Sequence, residues 1–231
     1  FAISILTVNV PAGAAGGTYT LLVTGTSGSL SRAATVTLNV RSGCLIATAT
    51  YGSELSPEVQ FLRGFRDQDV LNTFAGSRFM TVFNQFYYSF SPTVAQSIAE
   101  NEILRAATKL LLYPLIGILH LAAMTYDASP FSFELGVVAA GLVASSLIGL
   151  VYFSPIAFCS LAILKRFRGL ALNNGHFKAI AVIWLGSLVS IAVSEIFTSP
   201  TLMMVSAAAF VLLTASSSAL TAARALSRLL A

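Results

Sequence analysis

Charged residues are scarce in this sequence. Only 10% of its 231 residues are charged, whereas globular chains average about 25%. Thirty consecutive residues at 135–164 carry no charge, and neither do twenty-eight at 196–223 or sixteen at 179–194. A bilayer core about 30 Å thick is crossed by roughly 20 apolar helical residues. The C-terminal part, residues 126–231, is therefore predicted to be an α-helical transmembrane region.

The chain also lacks the residue sets of the commoner catalytic and binding sites. Its two cysteines, Cys44 and Cys159, are too few for a metal set, and Cys159 lies in an uncharged run, so no disulfide is expected. His120 and His176 form no metal-binding pair, and no nucleophile elbow or phosphate loop is present. The net charge of +4 includes no basic run with interleaved aromatics. We therefore predict a non-enzymatic protein with no cofactor and no nucleic-acid partner.

The N-terminal residues alternate in a way that is typical of β-strands. Three stretches alternate apolar and polar residues, as strands with one apolar face do: 1–10, 17–25 and 32–40. The pattern is typical of the last strands of an immunoglobulin-like sandwich, which needs about seven strands. We therefore predict that residues 1–41 are the C-terminal strands of a truncated domain of a longer surface protein. A small three-stranded sheet packed on the following helices is the alternative.

The next segment contains several short motifs in a fixed order. They are GCLIATATYGS at 43–53, PEVQFLRGFRD at 57–67, GSRF at 76–79 and FYYSFSP at 86–92. Together they resemble the CFI-box C-terminal domain of archaeal and bacterial surface proteins, and most closely its thaumarchaeal members. Leu45 departs from the pattern, because the family name has Phe there. The resemblance implies a CFI-box domain at residues 42–125 and an address at the cell surface, not a reaction.

Serine–proline pairs predict where helices begin in this segment. Five of the seven prolines follow serine, and serine at the N-cap with proline at the first helical position is a helix start. Helices are thus expected near residues 57 and 92, and another from about Ser77. Nine aromatic residues between Phe61 and Phe90 are predicted to form a compact core. A seat at the membrane interface is the alternative.

Four residues of this helical cap are candidate site residues. The family resemblance singles out Cys44, which we expect to be a buried, inert thiol. The alternative is a modified or reactive thiol. Arg63, Arg66 and Asp67 lie among the aromatics and are expected to form internal ion pairs. The alternative is a docking point for a partner or a lipid headgroup.

The distribution of basic residues bears on how many helices cross the membrane. Four segments are candidates: 103–124, 131–164, 178–197 and 201–223. If the strands are outside, an odd number of crossings puts six Lys and Arg residues of the C-terminal region inside, and four crossings put all six outside. We therefore predict three crossings, with 131–164 as one helix kinked at Pro155 and 103–124 packed on the helical cap. Four crossings remain the alternative.

The whole pattern predicts a mainly α-helical protein with partial β-sandwich strands at its N-terminus, a helical cap and a transmembrane bundle. We expect the membrane-anchoring region of a cell-surface protein, with the N-terminal part extracellular. Its partners would be the lipid bilayer, the upstream extracellular domains and other membrane proteins. The alternatives are an accessory subunit of a membrane transporter or enzyme complex, and a sorting module modified at Cys44.

Overall fold

A computed structural model describes residues 5–8, 17–40, 43–129, 132–168 and 174–229. These residues are mainly α-helical, and a two-stranded antiparallel sheet precedes the helices. The fold class predicted from the sequence is confirmed.

The two strands form a hairpin. Strand β1 (Gly17–Ser27) pairs with β2 (Leu30–Val40), and the register sets Leu21 opposite Val36. Gly28 opens the two-residue loop at φ +59°, a conformation that favours glycine and suits short hairpin loops. The predicted strands at 17–25 and 32–40 are confirmed.

The strand predicted at residues 1–10 is not found in the four of its residues that the structure describes. Residues 5–8 are in no strand, so the prediction is wrong for them; the other six residues lie outside the described part of the chain. Alternation alone does not make a strand, because a strand also needs a partner to pair its backbone groups.

Eight α-helices and two π-helical segments follow in the described part of the chain. They are α1 (Leu45–Tyr51), α2 (Pro57–Gly64), a first π segment (Phe65–Val70), α3 (Phe74–Glu100), α4 (Glu102–Asp127), α5 (Phe133–Ile148), a second π segment (Gly149–Phe153), α6 (Ser154–Arg168), α7 (Asn174–Ile196) and α8 (Pro200–Leu229).

The Ser–Pro pairs are helix starts in some places and not in others. Pro57 begins α2 after an extended Ser56, as predicted. Pro92, however, lies inside α3, so the predicted start there is wrong. Helix α3 begins earlier because Thr73 caps it, its Oγ1 accepting a hydrogen bond of 3.1 Å from the Gly76 N–H. Once begun, the helix continues past the proline, where Ser91 is completely buried.

The longest apolar segment is one continuous helix formed by α5, the second π segment and α6, as predicted. The π segment ends one residue before the Ser154–Pro155 pair. Proline donates no backbone N–H and crowds the preceding turn, and a π-bulge relieves both problems at the cost of one widened turn. Gly149 opens this turn where the helix meets α8, and a Cβ there would collide with the Ala215 carbonyl and the Ser218 hydroxyl.

Four helices among the described residues are long and apolar enough to cross a bilayer. They span Glu102–Asp127, Phe133–Leu161, Phe177–Ile196 and Pro200–Ser227. By length and composition, this is a multi-pass membrane protein.

The helical cap and the apolar bundle share one hydrophobic core. Ala75, from the first turn of α3, packs with four buried residues of α5, α7 and α8: Val137, Ile191, Met203 and Phe210. This packing shows which helix termini lie at the same end of the bundle. The C-termini of α4 and α7 meet the N-termini of α3, α5 and α8 at what we call the acidic end, after Asp127, Glu134 and Glu195.

Candidate functional site

The cap brings Cys44 next to the charged residues singled out in the sequence. Cys44 immediately precedes α1 and is half-buried. The guanidinium groups of Arg63 on α2 and Arg66 on the first π segment lie close enough to act on its thiol electrostatically. Asp67 also acts on the thiol, so all four candidate residues form one cluster.

Two tyrosines of α3 hold this cluster in place. The hydroxyl of Tyr88 donates a hydrogen bond of 2.9 Å to the carbonyl of Gly43, and the hydroxyl of Tyr87 accepts one of 3.1 Å from the backbone N–H of Ile46. These bonds tie both sides of Cys44 to the middle of α3. Burial raises the pKa of Tyr87 to about 12, so its hydroxyl stays protonated at neutral pH.

Both arginines form ion pairs within the cap. Arg66 binds Asp67 through two hydrogen bonds, Nε to Oδ1 at 2.7 Å and Nη2 to Oδ2 at 3.2 Å. Arg63 binds the Oε2 atom of Glu54 at 3.1 Å. The side chain of Arg66 is 12% exposed and that of Glu54 is 64% exposed. The Arg66–Asp67 pair is therefore shielded from solvent at its arginine, whereas the Arg63–Glu54 pair is open to solvent at its glutamate.

Burial and nearby charges shift the pKa of the Cys44 thiol in opposite directions. Burial raises its pKa above the ordinary value, while the positive charges of Arg66 and Arg63 lower it and Asp67 raises it again. Desolvation is the largest of these, so the thiol form prevails at neutral pH. This protonation state is the one expected of an inert thiol.

The aromatic residues of the cap divide between a core and a surface. Phe61 stacks on His120 of α4 with ring centroids 3.6 Å apart. Phe83, Phe86 and Phe90, by contrast, are exposed by 40%, 67% and 38%. The prediction that all nine form a compact core is therefore wrong for these three. They pack on rings of α3 itself, Phe83 on Tyr87 and Phe86 on Phe90, and remain exposed.

Glu134 is a structural contact that the sequence reasoning missed. Its carboxylate, in the first turn of α5, accepts hydrogen bonds from the backbone N–H groups of Phe74 and Ala75. These are orphan donors at the start of α3, and a negative charge at a helix N-terminus is favourable. The carboxylate therefore fastens the cap to the membrane bundle. No sequence signal marks the contact, since sixty residues separate Glu134 from Phe74.

The cap extends along much of α4. Lys109 of α4 lies over the ring of Tyr51 at 5.4 Å, and Asp127, at the other end of α4, acts electrostatically on Asp69. The two positions on α4 are eighteen residues apart, or roughly 27 Å at about 1.5 Å per residue. The cap, which is rich in charged residues, therefore reaches two distant positions on α4, although Lys109 and Asp127 themselves remain exposed.

No three His, Cys, Asp or Glu side chains are grouped to hold a metal ion within the described ranges. Comparisons of the chain with protein-family models, with curated proteins and with solved structures found no match.

Proposed function

We propose that this chain is the membrane-anchoring region of a cell-surface protein, with the helical cap and the N-terminal strands outside and upstream extracellular domains displayed beyond them. The observation that carries the proposal is the charge polarity of the apolar bundle. Glu134 and Glu195 lie at its acidic end. Six basic residues end α6, begin α7 or end α8, at the opposite end: Lys165, Arg166, Arg168, Lys178, Arg224 and Arg228.

This polarity favours one orientation in the membrane. Lys and Arg concentrate in the cytoplasmic segments of membrane proteins, and each gains about 1 kcal/mol near an anionic cytoplasmic surface. The segments at the acidic end, 126–132 and 197–199, contain no Lys or Arg, so six such residues against none give a strong preference for the basic end inside. The acidic end, and the cap that Glu134 fastens to it, then face the outside.

Helix α4 decides between three and four crossings, and it has two kinds of neighbour. The charged cap lies along it. Helix α5 packs along it as well, and beyond α5 the Tyr152 hydroxyl donates a hydrogen bond to the Leu111 carbonyl. If α4 stays outside with the cap, the three remaining apolar helices place the basic end inside and the strands outside. The charged cap along α4 supports this arrangement, because Arg66 and Asp67 would be costly at membrane depth. We therefore propose three crossings, with α4 as part of the cap.

A second candidate is an accessory subunit of a membrane complex with four crossings. Helix α4 exposes large apolar side chains: Leu110 by 76%, Tyr113 by 79% and Met124 by 66%. Such a surface suits lipid or another membrane helix. If α4 crosses antiparallel to α5 while the basic end stays inside, the cap and strands are cytoplasmic, and surface display is excluded.

Labelling of single cysteines in intact cells separates the two candidates. In a background without Cys44 and Cys159, one cysteine is placed at Ser29, Asn174 or Ala231 and exposed to a membrane-impermeant maleimide. Surface display with three crossings requires labelling at Ser29 from outside and protection at Asn174 and Ala231. Opening the membrane with detergent should then expose both protected positions.

Two other labelling patterns would contradict the proposal, and both would mean four crossings. Protection at all three positions means four crossings with a cytoplasmic cap. Labelling at all three means four crossings with the strands outside and the basic end outside, against the charge distribution. A cysteine that stays unlabelled after detergent treatment is moved one residue along the chain.

A further inference from the structure

The bundle contains a groove between two of its apolar helices. Helix α8 packs against both α5 and α7, and within the described part of the chain α5 and α7 hardly touch each other. A cavity of about 400 Å³ lies in this gap. It is partly open rather than enclosed, and Ala128, Ser129 and Leu135 line it at the acidic end.

The walls of the groove are apolar. Val138, Ala139 and Leu142 of α5 form one wall, Trp184 and Leu188 of α7 form the other, and Phe210 of α8 forms the floor. Phe210 is only 3% exposed, so the floor is part of the core rather than of the outer surface.

The polar groups at the groove are already satisfied by the protein. The indole N–H of Trp184 donates a hydrogen bond of 2.8 Å to the hydroxyl of Thr214, which in turn donates to the Phe210 carbonyl at 2.7 Å. At the rim, the hydroxyl of Ser129 donates to the Thr125 carbonyl at 3.0 Å. Among the described residues that line the groove, the side-chain donors are therefore already paired within the protein, so a polar ligand would find few replacements for the hydrogen bonds that it loses with water.

We propose that this groove binds one hydrocarbon chain of a membrane lipid. The inference rests on the membrane embedding of α5, α7 and α8 that underlies the proposed function, but not on the orientation or on surface display. At about 30 Å³ per small group, the volume of a water molecule in the liquid, the cavity holds on the order of a dozen methylene groups.

The shape of the groove favours a lipid chain over a helix of a partner or of a second copy. A helix with its side chains is about 10–12 Å wide, and close helix packing in membranes uses small residues on the contact face. Here the bulky side chains of Leu142, Trp184 and Leu188 stand at the walls, and the small lining residues are Ala128, Ser129 and Ala139. Bulky walls of this kind favour a flexible chain over a closely packed helix.

Trp184 provides the measurement, because it is the single tryptophan of the chain. The full chain, purified in a detergent that does not quench fluorescence, is titrated with phosphatidylcholine carrying bromine atoms on its acyl chains. Bromine quenches a tryptophan that it touches. We expect quenching of Trp184 that saturates with added lipid, and loss of the saturating component in Ala139→Phe, which fills the groove.

The matched control is Ala181→Phe, because Ala181 is exposed on α7 and does not line the groove. This variant should be quenched like the wild type. If Ala139→Phe does not fold, as judged by circular dichroism, the smaller change Ala139→Leu replaces it, with partial loss of saturating quenching expected.

Two results would overturn the proposal. One is saturating quenching that persists unchanged in a folded groove-filling variant. The other is a shift from dimer to monomer in light scattering on groove filling, since a second copy would then be the occupant. Tryptophan quenching and light scattering do not depend on the cysteine labelling pattern in cells. This test therefore remains valid if the labelling disproves surface display.

Discussion

The carboxylate of Glu134 accepts a hydrogen bond of 3.0 Å from the backbone N–H of Ala75, across fifty-nine residues of sequence. Ala75 also packs in the core that α5, α7 and α8 share. The start of α3 is therefore held twice, by a charge at its N-terminus and by apolar burial. The two contacts make the cap and the membrane bundle one packed body at the acidic end.

Replacement of Glu134 by Ala should loosen this junction. Two backbone donors at the start of α3 lose a charged acceptor, which costs about 1–3 kcal/mol for such buried groups. We expect a lower unfolding temperature and faster hydrogen exchange at residues 74–78. Glu195→Ala is the matched control, because Glu195 lies at the same end but is exposed, and equal effects of the two changes would contradict the assigned role.

Gly149 tests the contact between the long helix and α8. A Cβ at this position meets the Ala215 carbonyl and the Ser218 hydroxyl, so Gly149→Ala should push the helices apart and destabilise the protein by about 1–3 kcal/mol. Gly141, on the same helix, has open space around its Cα. Gly141→Ala should therefore be neutral or stabilising by about 0.5–1 kcal/mol through helix propensity. Thermal unfolding in detergent compares the two, and an opposite ranking would refute the close contact.

The sequence could predict the elements whose signal is local. The uncharged run around Pro155 indicates one long helix, and the alternation around Leu21 and Val36 indicates paired strands. Each signal lies within a single element, and the structure confirms both elements.

The junctions could not be predicted, because they depend on which distant residues meet. Nothing near Glu134 marks it as an acceptor for the first N–H groups of α3, and nothing near Trp184 marks its hydrogen bond to Thr214, thirty residues away. Pro92 was misplaced as a helix start for a related reason. Local proline chemistry favours a break there, whereas the buried packing around Ser91 accompanies a continuous helix.

The reactivity of Cys44 should follow the charges around it. Because burial raises the pKa of this thiol, little thiolate is present at neutral pH, and alkylation by iodoacetamide should be slow and accelerate as the pH rises above the ordinary thiol value. Arg63→Gln removes a charge that lowers the pKa, so the reaction should slow further. Asp67→Asn removes a charge that raises it, so the reaction should quicken.

Rates are measured on the full chain in a Cys159→Ser background, with intact mass as the readout. Alkylation at pH 7 as fast as that of a free peptide thiol would show that the burial of Cys44 is not maintained. A mass increment on Cys44 before any reagent is added would favour the sorting module over the anchor.

The hairpin offers the last prediction, because its apolar face is exposed in the part of the chain that the structure describes. Tyr19, Val23 and Val36 project from the same face and are exposed by 42%, 37% and 41%. An isolated two-stranded hairpin is marginally stable in water, and an uncovered apolar face adds no burial to offset the entropy of ordering. A peptide of residues 1–41 should therefore show little β-signal in circular dichroism and narrow amide dispersion in NMR.

The proposed extracellular sandwich predicts that a longer fragment folds where this peptide does not. If the apolar face is completed by strands from upstream domains, extending the chain towards its N-terminus should restore dispersed amide signals and a cooperative unfolding transition. Leu21→Thr should abolish that transition, because Leu21 faces Val36 at the centre of the apolar face, while Thr20→Ser, on the opposite face, should leave it in place. Cooperative folding of residues 1–41 alone as a monomer would instead show that the hairpin needs no further strands.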